Sequence, residues 1–274
     1  MVTDLMPARL VEEVDEAAVQ SFETNGFLGV RNVFSPQEVA DFLGCIKELE
    51  AQAARSYVFR ESEQYTQHVN VWRVHEGVRR FVFSPKLAAI AQRLSRRPRL
   101  RIWHDQAIIK MPGGRRTTWH QDLPAWPMIE PLTFTAWIAL VDATVQSGAL
   151  QYIPGSHKWG RLAHTTLPRE MIESLDGLRY LVPEAALDRL TAVPMELPAG
   201  GVTFHHSLIL HGASLNQTGG ARYGFIVNYM PDGVRFSGRA HPVTDGLGLA
   251  VYQPIAGDAF PIVASDDPGE IAQP

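Results

Sequence analysis

Only one cysteine, Cys45, occurs in the 274 residues, so no internal disulfide can form and a reducing cytoplasmic setting is expected. No stretch approaches the ~20 consecutive apolar residues that would span a bilayer. The first residues, Met1 to Met6, lack a basic segment followed by an apolar run, so no signal peptide is expected. Charge of neither sign dominates. Twenty-five Lys and Arg against 29 Asp and Glu leave a net −4, which gives nucleic acid no overall attraction. No internal repeat is found. What remains is an ordinary globular composition, 45% hydrophobic and 20% charged, long enough to bury a core without covalent staples. The partner it suggests is a small molecule, not a membrane or a nucleic acid.

Helical signals fill the first hundred residues. Ser35-Pro36-Gln37-Glu38 is a capping box with proline at the first helical position. Behind it Val39, Phe42, Leu43, Ile46 and Leu49 recur at helical spacing. Ser84-Pro85 opens a second helix, and Asn25-Gly26 closes a shorter one before an extended Phe27–Val30. From about residue 99 the texture becomes short and β-rich, over 99–111, 132–141, 148–153, 193–197, 202–211 and 221–230. Gly and Pro turns separate these runs, as expected for an antiparallel sandwich or jelly roll. The expected organisation is one domain: a helical N-terminal part over about 1–98, a β core over about 99–262 and a mobile tail over about 264–274. Residues 162–192 read as an insertion over one end.

Trp119-His120-Gln121-Asp122, followed by His211-Gly212 and then Arg222, carries the chemistry. Residues two apart on a strand share a face, so His120 and Asp122 can aim at one point. A histidine from a distant strand would complete the two-imidazole, one-carboxylate facial set of non-haem Fe(II) oxygenases, with three positions left open. Arg222 offers a planar fork to a carboxylate, which suggests 2-oxoglutarate. His-x-Asp alone is common; the surrounding motifs decide.

Those motifs are Lys110-Met111-Pro112-Gly113-Gly114, Trp119-His120-Gln121-Asp122-Leu123, Phe134-Thr135-Ala136-Trp137-Ile138-Ala139-Leu140, Gly148 through Ile153-Pro154-Gly155-Ser156-His157-Lys158, and His211-Gly212-Ala213-Ser214-Leu215-Asn216 with Arg222. In this order the chain resembles the phytanoyl-CoA dioxygenase family over roughly residues 20–235. The resemblance implies a mainly β, cupin-like double-stranded β-helix (jelly roll) with a helical N-terminal layer. It implies an oxygenase using Fe(II), 2-oxoglutarate and O2. His120, Asp122 and His211 would be the metal ligands, and Arg222 the partner of the 2-oxoglutarate C5 carboxylate. Trp137 and Gln106 would line the co-substrate pocket, and Asn70, read on a short strand Val69-Asn70-Val71, is aligned to the same pocket. Many relatives carry Ser two residues after the distal histidine; here Ala213 stands there, so Ser214 or another donor would have to serve.

Asp122 separates outcomes. Related halogenases have a small residue in its place, so hydroxylation of a small molecule in secondary metabolism is expected, not halogenation. The alternatives are desaturation, epoxidation or cyclisation at the same centre, or a jelly roll that binds metal and 2-oxoglutarate without turnover, as a sensor or scaffold. His104, His157, His205 and His206 read as packed, hydrogen-bonded residues. Trp126 reads either as a substrate-pocket wall or as plain core. Arg93, Arg96, Arg97, Arg99, Arg101, Arg115 and Arg116 form the one marked basic feature. A solvated face is the simpler account, docking of a CoA- or carrier-protein-linked substrate the other. The loops 57–68, 162–192 and 231–262, where selectivity is expected, contain no decodable motif.

Overall fold

The structure, a computed structural model, describes residues 10–52, 57–62, 64–162 and 172–274. The N-terminal residues read for a leader and residues 163–171 of the expected insertion lie outside these. β1 (Leu10–Val11) leads to α1 (Glu16–Asn25), which Asp15 caps by accepting from the Ala18 N–H at 2.7 Å. Gly26 ends α1 at φ 84°, a left-handed position where a Cβ would also strike His157. β2 (Phe27–Val30) follows, then α2 (Pro36–Gln52), whose capping box is reciprocal: Ser35 N–H to Glu38 at 2.8 Å, Glu38 N–H to Ser35 Oγ at 3.3 Å. A hairpin of β3 (Tyr57–Ser62) and β4 (Tyr65–Val69) precedes α3 (Glu76–Val82) and α4 (Pro85–Ser95). α3 is too short to show a helical period in the sequence; His75 Nδ1 starts it by accepting from Val78 N–H at 3.3 Å.

The remainder is β5 (Arg99–Lys110), β6 (Thr117–His120), β7 (Phe134–Ala139), β8 (Leu150–Tyr152), α5 (Leu175–Leu178), β9 (Val193–Pro194), β10 (Val202–His206), β11 (His211–Ala213), β12 (Arg222–Pro231) and β13 (Ile262–Ser265). The strands form two sheets. The major one runs β1-β2-β10-β7-β12-β5-β4-β3, with β13 also on β5; the minor one runs β6-β11-β8-β9. Every strand pair but β1–β2 is antiparallel. This is the expected jelly roll, and the N-terminal part contributes four of its strands besides the helices.

Period-two alternation in the major sheet sorts its residues between two jobs. Phe134, Ala136 and Ile138 of β7, Phe225, Val227 and Tyr229 of β12, and Val202 and Phe204 of β10 face the helices, packing with Phe22, Phe42, Ile46, Val78, Leu87 and Ala91. The intervening Thr135, Trp137, Arg222, Ile226, Asn228 and His205 line a cavity of about 430 Å³ between the sheets.

Two expectations are corrected. Residues 202–211 are not one strand: β10 ends at His206, and Ser207–Leu210 carries the chain from the major sheet to the minor one. The tail from Ala264 is not left free. Val263 and Ala264 are buried, β13 pairs with β5, and Ala272 N–H returns to Ile262 O at 2.9 Å. Apolar contacts with the helical layer supply the burial that the polar tail sequence hides. No helix among the described residues is long and apolar enough to cross a membrane.

Candidate metal and co-substrate centre

Antiparallel pairing of β6 with β11 sets His120 directly opposite His211. Each ring is fixed from behind. His120 Nδ1 meets Thr118 O at 2.8 Å and His211 Nδ1 meets Ile209 O at 3.1 Å, so both rings donate from Nδ1 and leave Nε2 free to ligate. Asp122 arrives differently from the strand geometry expected. β6 stops at His120, and Asp122 adopts a helical backbone (φ −71°, ψ −48°) at the start of a 3-10 turn, Leu123–Ala125. That turn, not strand alternation, brings its Oδ1 to 3.5 Å from His120 Nε2 and 3.7 Å from His211 Nε2. One ligand atom from each of the three lies within 4.8 Å of the others, a spacing that can hold one metal ion.

The second carboxylate oxygen faces the major sheet. Thr135 Oγ1 lies 3.0 Å from Asp122 Oδ2 and 2.7 Å from Asn228 Oδ1, with one proton to share between them, and His205 Nε2 lies 3.2 Å from Asp122 Oδ2. His205 Nδ1 in turn meets Tyr152 Oη at 3.1 Å, and Tyr152 Oη meets Thr203 Oγ1 at 2.9 Å. Burial opposes ionisation of Asp122, but His211, His120 and His205 around it hold the carboxyl well below its usual range. Burial and the neighbouring His120 keep His211 well below the usual imidazole range, hence neutral as a ligand must be.

Arg222 begins β12 at the other end of the cavity, only 2% exposed. One nitrogen donates to Gly148 O at 2.8 Å, the group stacks 5.2 Å from the Trp137 ring, and Nε has no partner. Burial pushes its pKa down to about 10. Among the described residues no carboxylate pairs with this cation, and an uncompensated buried charge is costly. An anion with a planar oxygen pair, such as the end carboxylate of 2-oxoglutarate, would satisfy it. The donor set and the orphaned guanidinium thus both fit the groups the sequence suggested.

Trp137 lines the cavity, packed over Gly224, whose hydrogen leaves room for the ring; Trp126 and Gln106 also line it. Asn70 does not. β4 ends at Val69, and Asn70 sits beyond it at φ 56°, outside the alternating face of Tyr65, Gln67 and Val69 that lines the wall. Gln67, bonded to Gln106, lines the wall there. Ser214 turns away to Val145 O at 2.8 Å and does not line the cavity; Thr117, paired with Ala213, does. His104 is hydrogen-bonded as expected but also lines the cavity, beside His241 of the 231–262 loop. No local signal marks Tyr65, Gln67, Thr117 or His241, because strand pairing over distance places them. His157 serves Glu23 O at 3.2 Å, as a loop residue should. Three of the seven arginines of the basic cluster are ion-paired: Arg96 with Glu16 and Glu23, Arg99 with Glu270 and Asp232, Arg101 with Asp232. That arrangement favours the solvated face.

Comparison with known proteins agrees with this geometry. The family model described as phytanoyl-CoA dioxygenase (PhyH) matches residues 22–224. A probable alpha-ketoglutarate-dependent hypophosphite dioxygenase of Stutzerimonas stutzeri is 25% identical over 215 residues, 74% of each chain. The crystal structure of SnoK, a non-heme alpha-ketoglutarate-dependent carbocyclase from nogalamycin biosynthesis, superposes with a TM-score of 0.77 at 28% identity, covering 92% of this chain and 98% of that one. SnoN, the epimerase of the same biosynthesis, gives 0.74 at 25% identity, covering 90% and 98%. The chain belongs to the phytanoyl-CoA dioxygenase family of non-haem iron, 2-oxoglutarate-dependent oxygenases.

Proposed function

We propose that the chain oxidises an unactivated C–H bond of a free small molecule, with His120, Asp122 and His211 holding Fe(II) and Arg222 anchoring the C5 carboxylate of 2-oxoglutarate, helped by Thr117. The observation that carries this is the buried, uncompensated Arg222 guanidinium in the same cavity as the three converging ligands. When bound, the iron and its co-substrate supply an oxidant able to take a hydrogen atom, with O2 consumed and succinate and CO2 released. The chain's own residues do the rest. Nδ1 bonds to Thr118 O and Ile209 O aim the two imidazoles, His205 and Thr135 turn Asp122, and Trp137 closes the co-substrate side against water. Asp122 fills the position a halide would need, so oxygenation is favoured over halogenation. Ion pairing within the arginine cluster supports a free substrate over a carrier-linked one. A cytoplasmic location belongs to the same reading, supported by the single cysteine.

A second outcome, ring closure or epimerisation instead of hydroxylation, draws support from the similarity to SnoK and SnoN. The test is succinate release from 2-oxoglutarate with Fe(II), aerobically and anaerobically, in the wild type and Asp122→Ala. Oxygen-dependent succinate that falls by about 100-fold or more in the variant is expected. Its absence from the wild type would leave a binding module, and equal rates in both would remove Asp122 from the centre.

A further inference from the structure

Along β12 the cavity has two unlike ends. Arg222 and Asn228 are six residues apart on that strand, roughly 20 Å at a strand's rise. The Asn228 end, beside Asp122 and Thr135, is walled by rings: Trp126 stands 5.9 Å from His104 at 87°, and His241 lies 6.4 Å from His104, stacked. Amides fill the rest. Gln67 donates to Gln106, Gln106 meets His104 Nδ1 at 3.4 Å, and Asn228 donates to the same nitrogen at 3.2 Å. Two donors on one ring nitrogen make it an acceptor, so the His104 ring is neutral. Burial pushes the pKa of His104 to about 3, and burial with Arg239 lowers that of His241. Each amide nitrogen carries two hydrogens and this network uses one, which leaves capacity for a hydroxyl or carbonyl.

Among the described residues lining the cavity, Asp122 and Arg222 are the only ones outside the histidines that carry a formal charge. On the reading of Arg222 as the co-substrate anchor, both are committed. Two positive charges on the metal and one on Arg222 would meet two negative ones on 2-oxoglutarate and one on Asp122. These cancel. An ionic substrate entering the ring-walled end would lose its hydration with nothing there to offset it.

We infer that the Asn228 end takes an uncharged, ring-bearing substrate with hydroxyl or carbonyl groups, held against Trp126 and His241 and read by the wall amides, and that ionic groups are kept out of it. This rests on the proposed co-substrate role of Arg222. The test uses protein loaded with Zn(II) and 2-oxoglutarate, which does not turn over, and three ring-matched probes: 2-naphthol, 2-naphthoate and 2-naphthylmethylammonium. Ligand-observed NMR titrations should show 2-naphthol binding about tenfold or more tightly than either ion. That binding should be lost in Trp126→Leu and kept in Trp126→Phe, with thermal melts reporting the fold of both variants. Either ion matching 2-naphthol, indifference to Trp126→Leu, or no probe binding at all overturns the inference. A 2-oxoglutarate titration of the same protein separates the two levels: if 2-oxoglutarate does not bind, the co-substrate reading fails first; if it binds and an ion wins, only the substrate inference fails.

Discussion

The two sheets make unequal contributions to one cavity. The minor sheet has four short strands, β8 and β11 only three residues each and β9 two, yet it presents both candidate imidazole ligands. The major sheet has the long strands β5 and β12, carries the helical layer on its back, and supplies Arg222, Trp137, Thr135 and His205. On the proposed assignment, metal binding and co-substrate binding would therefore be separable by sheet, except at Asp122, whose carboxylate faces both. One oxygen points to the minor-sheet histidines and the other to the major-sheet pair.

Arg222→Leu should divide the sheets most sharply. Affinity for 2-oxoglutarate is expected to fall on the order of 100-fold, as on truncating one partner of a buried charge pair. Co(II) binding, followed by its visible absorption without co-substrate, should stay within about twofold of wild type. A parallel loss of Co(II) would mean that the sheets are not separable.

His205→Ala sits on the bridge between the sheets and should weaken Co(II) binding by about 10–100-fold. His205→Gln, which keeps a hydrogen-bonding group near Asp122 Oδ2, should recover part of the loss. Unchanged affinity in His205→Ala would reduce His205 to core packing.

Gly224→Ala acts on the major sheet alone. Its Cβ would fall 2.5 Å from the Trp137 ring, and overpacking of this kind costs about 1–3 kcal/mol. A lower Tm and a several-fold weaker 2-oxoglutarate titration are expected, with Co(II) affinity retained.

The mildest effect is that of pH near neutrality on the chelated protein. Burial holds His104 at about 3, and His157 and His206 at about 4, all below the ordinary 6.5 of the unfolded chain. Each destabilises the fold as pH drops below 6.5, because the unfolded chain takes up the proton first. Burial raises Asp105 to about 7, so it works in the opposite sense over the same range, with the folded chain taking up its proton first. His211 and His241, also lowered by burial, add to the loss, and His120, raised despite burial by the neighbouring Asp122, opposes it. The balance is a net loss on the order of 1 kcal/mol from pH 7 to 6, or a Tm lower by about 2–4 °C, and steeper loss below. A Tm that rises on acidification would show that Asp105 and His120 outweigh the other histidines.

Local chemistry was readable in advance where it decides structure. The Ser35–Glu38 capping box and the Gly26 terminator both express themselves within a few residues of where they are written. His120, His211 and Arg222 were readable because motif order fixes which strands meet. Asn70 was misplaced because a left-handed residue breaks the strand pattern just beyond Val69. Gln67, Thr117 and His241 were missed because the register of β4 on β5, the pairing of Ala213 with Thr117 and the path of the 231–262 loop depend on partners far away in sequence. The split of 202–211 was hidden for a related reason: Ser207–Leu210 is as apolar as a strand, while its backbone bonds go mostly to the loops and side chains that pack around the crossing.

That four-residue crossing limits how the molecule can be re-engineered. Ser207 N–H is taken by Thr133 O and Ser207 O by Leu123 N–H; Leu208 O receives Gln121, and Leu210 bonds to Ser156 and Ile153. It spans from His205, bonded to the Asp122 carboxylate, to His211, the candidate ligand beside it. A single inserted residue there would shift one histidine out of phase with the other while leaving every strand intact. Grafts and tags belong elsewhere, on exposed turns such as Gly219-Gly220, where an added Cβ meets nothing within 4 Å.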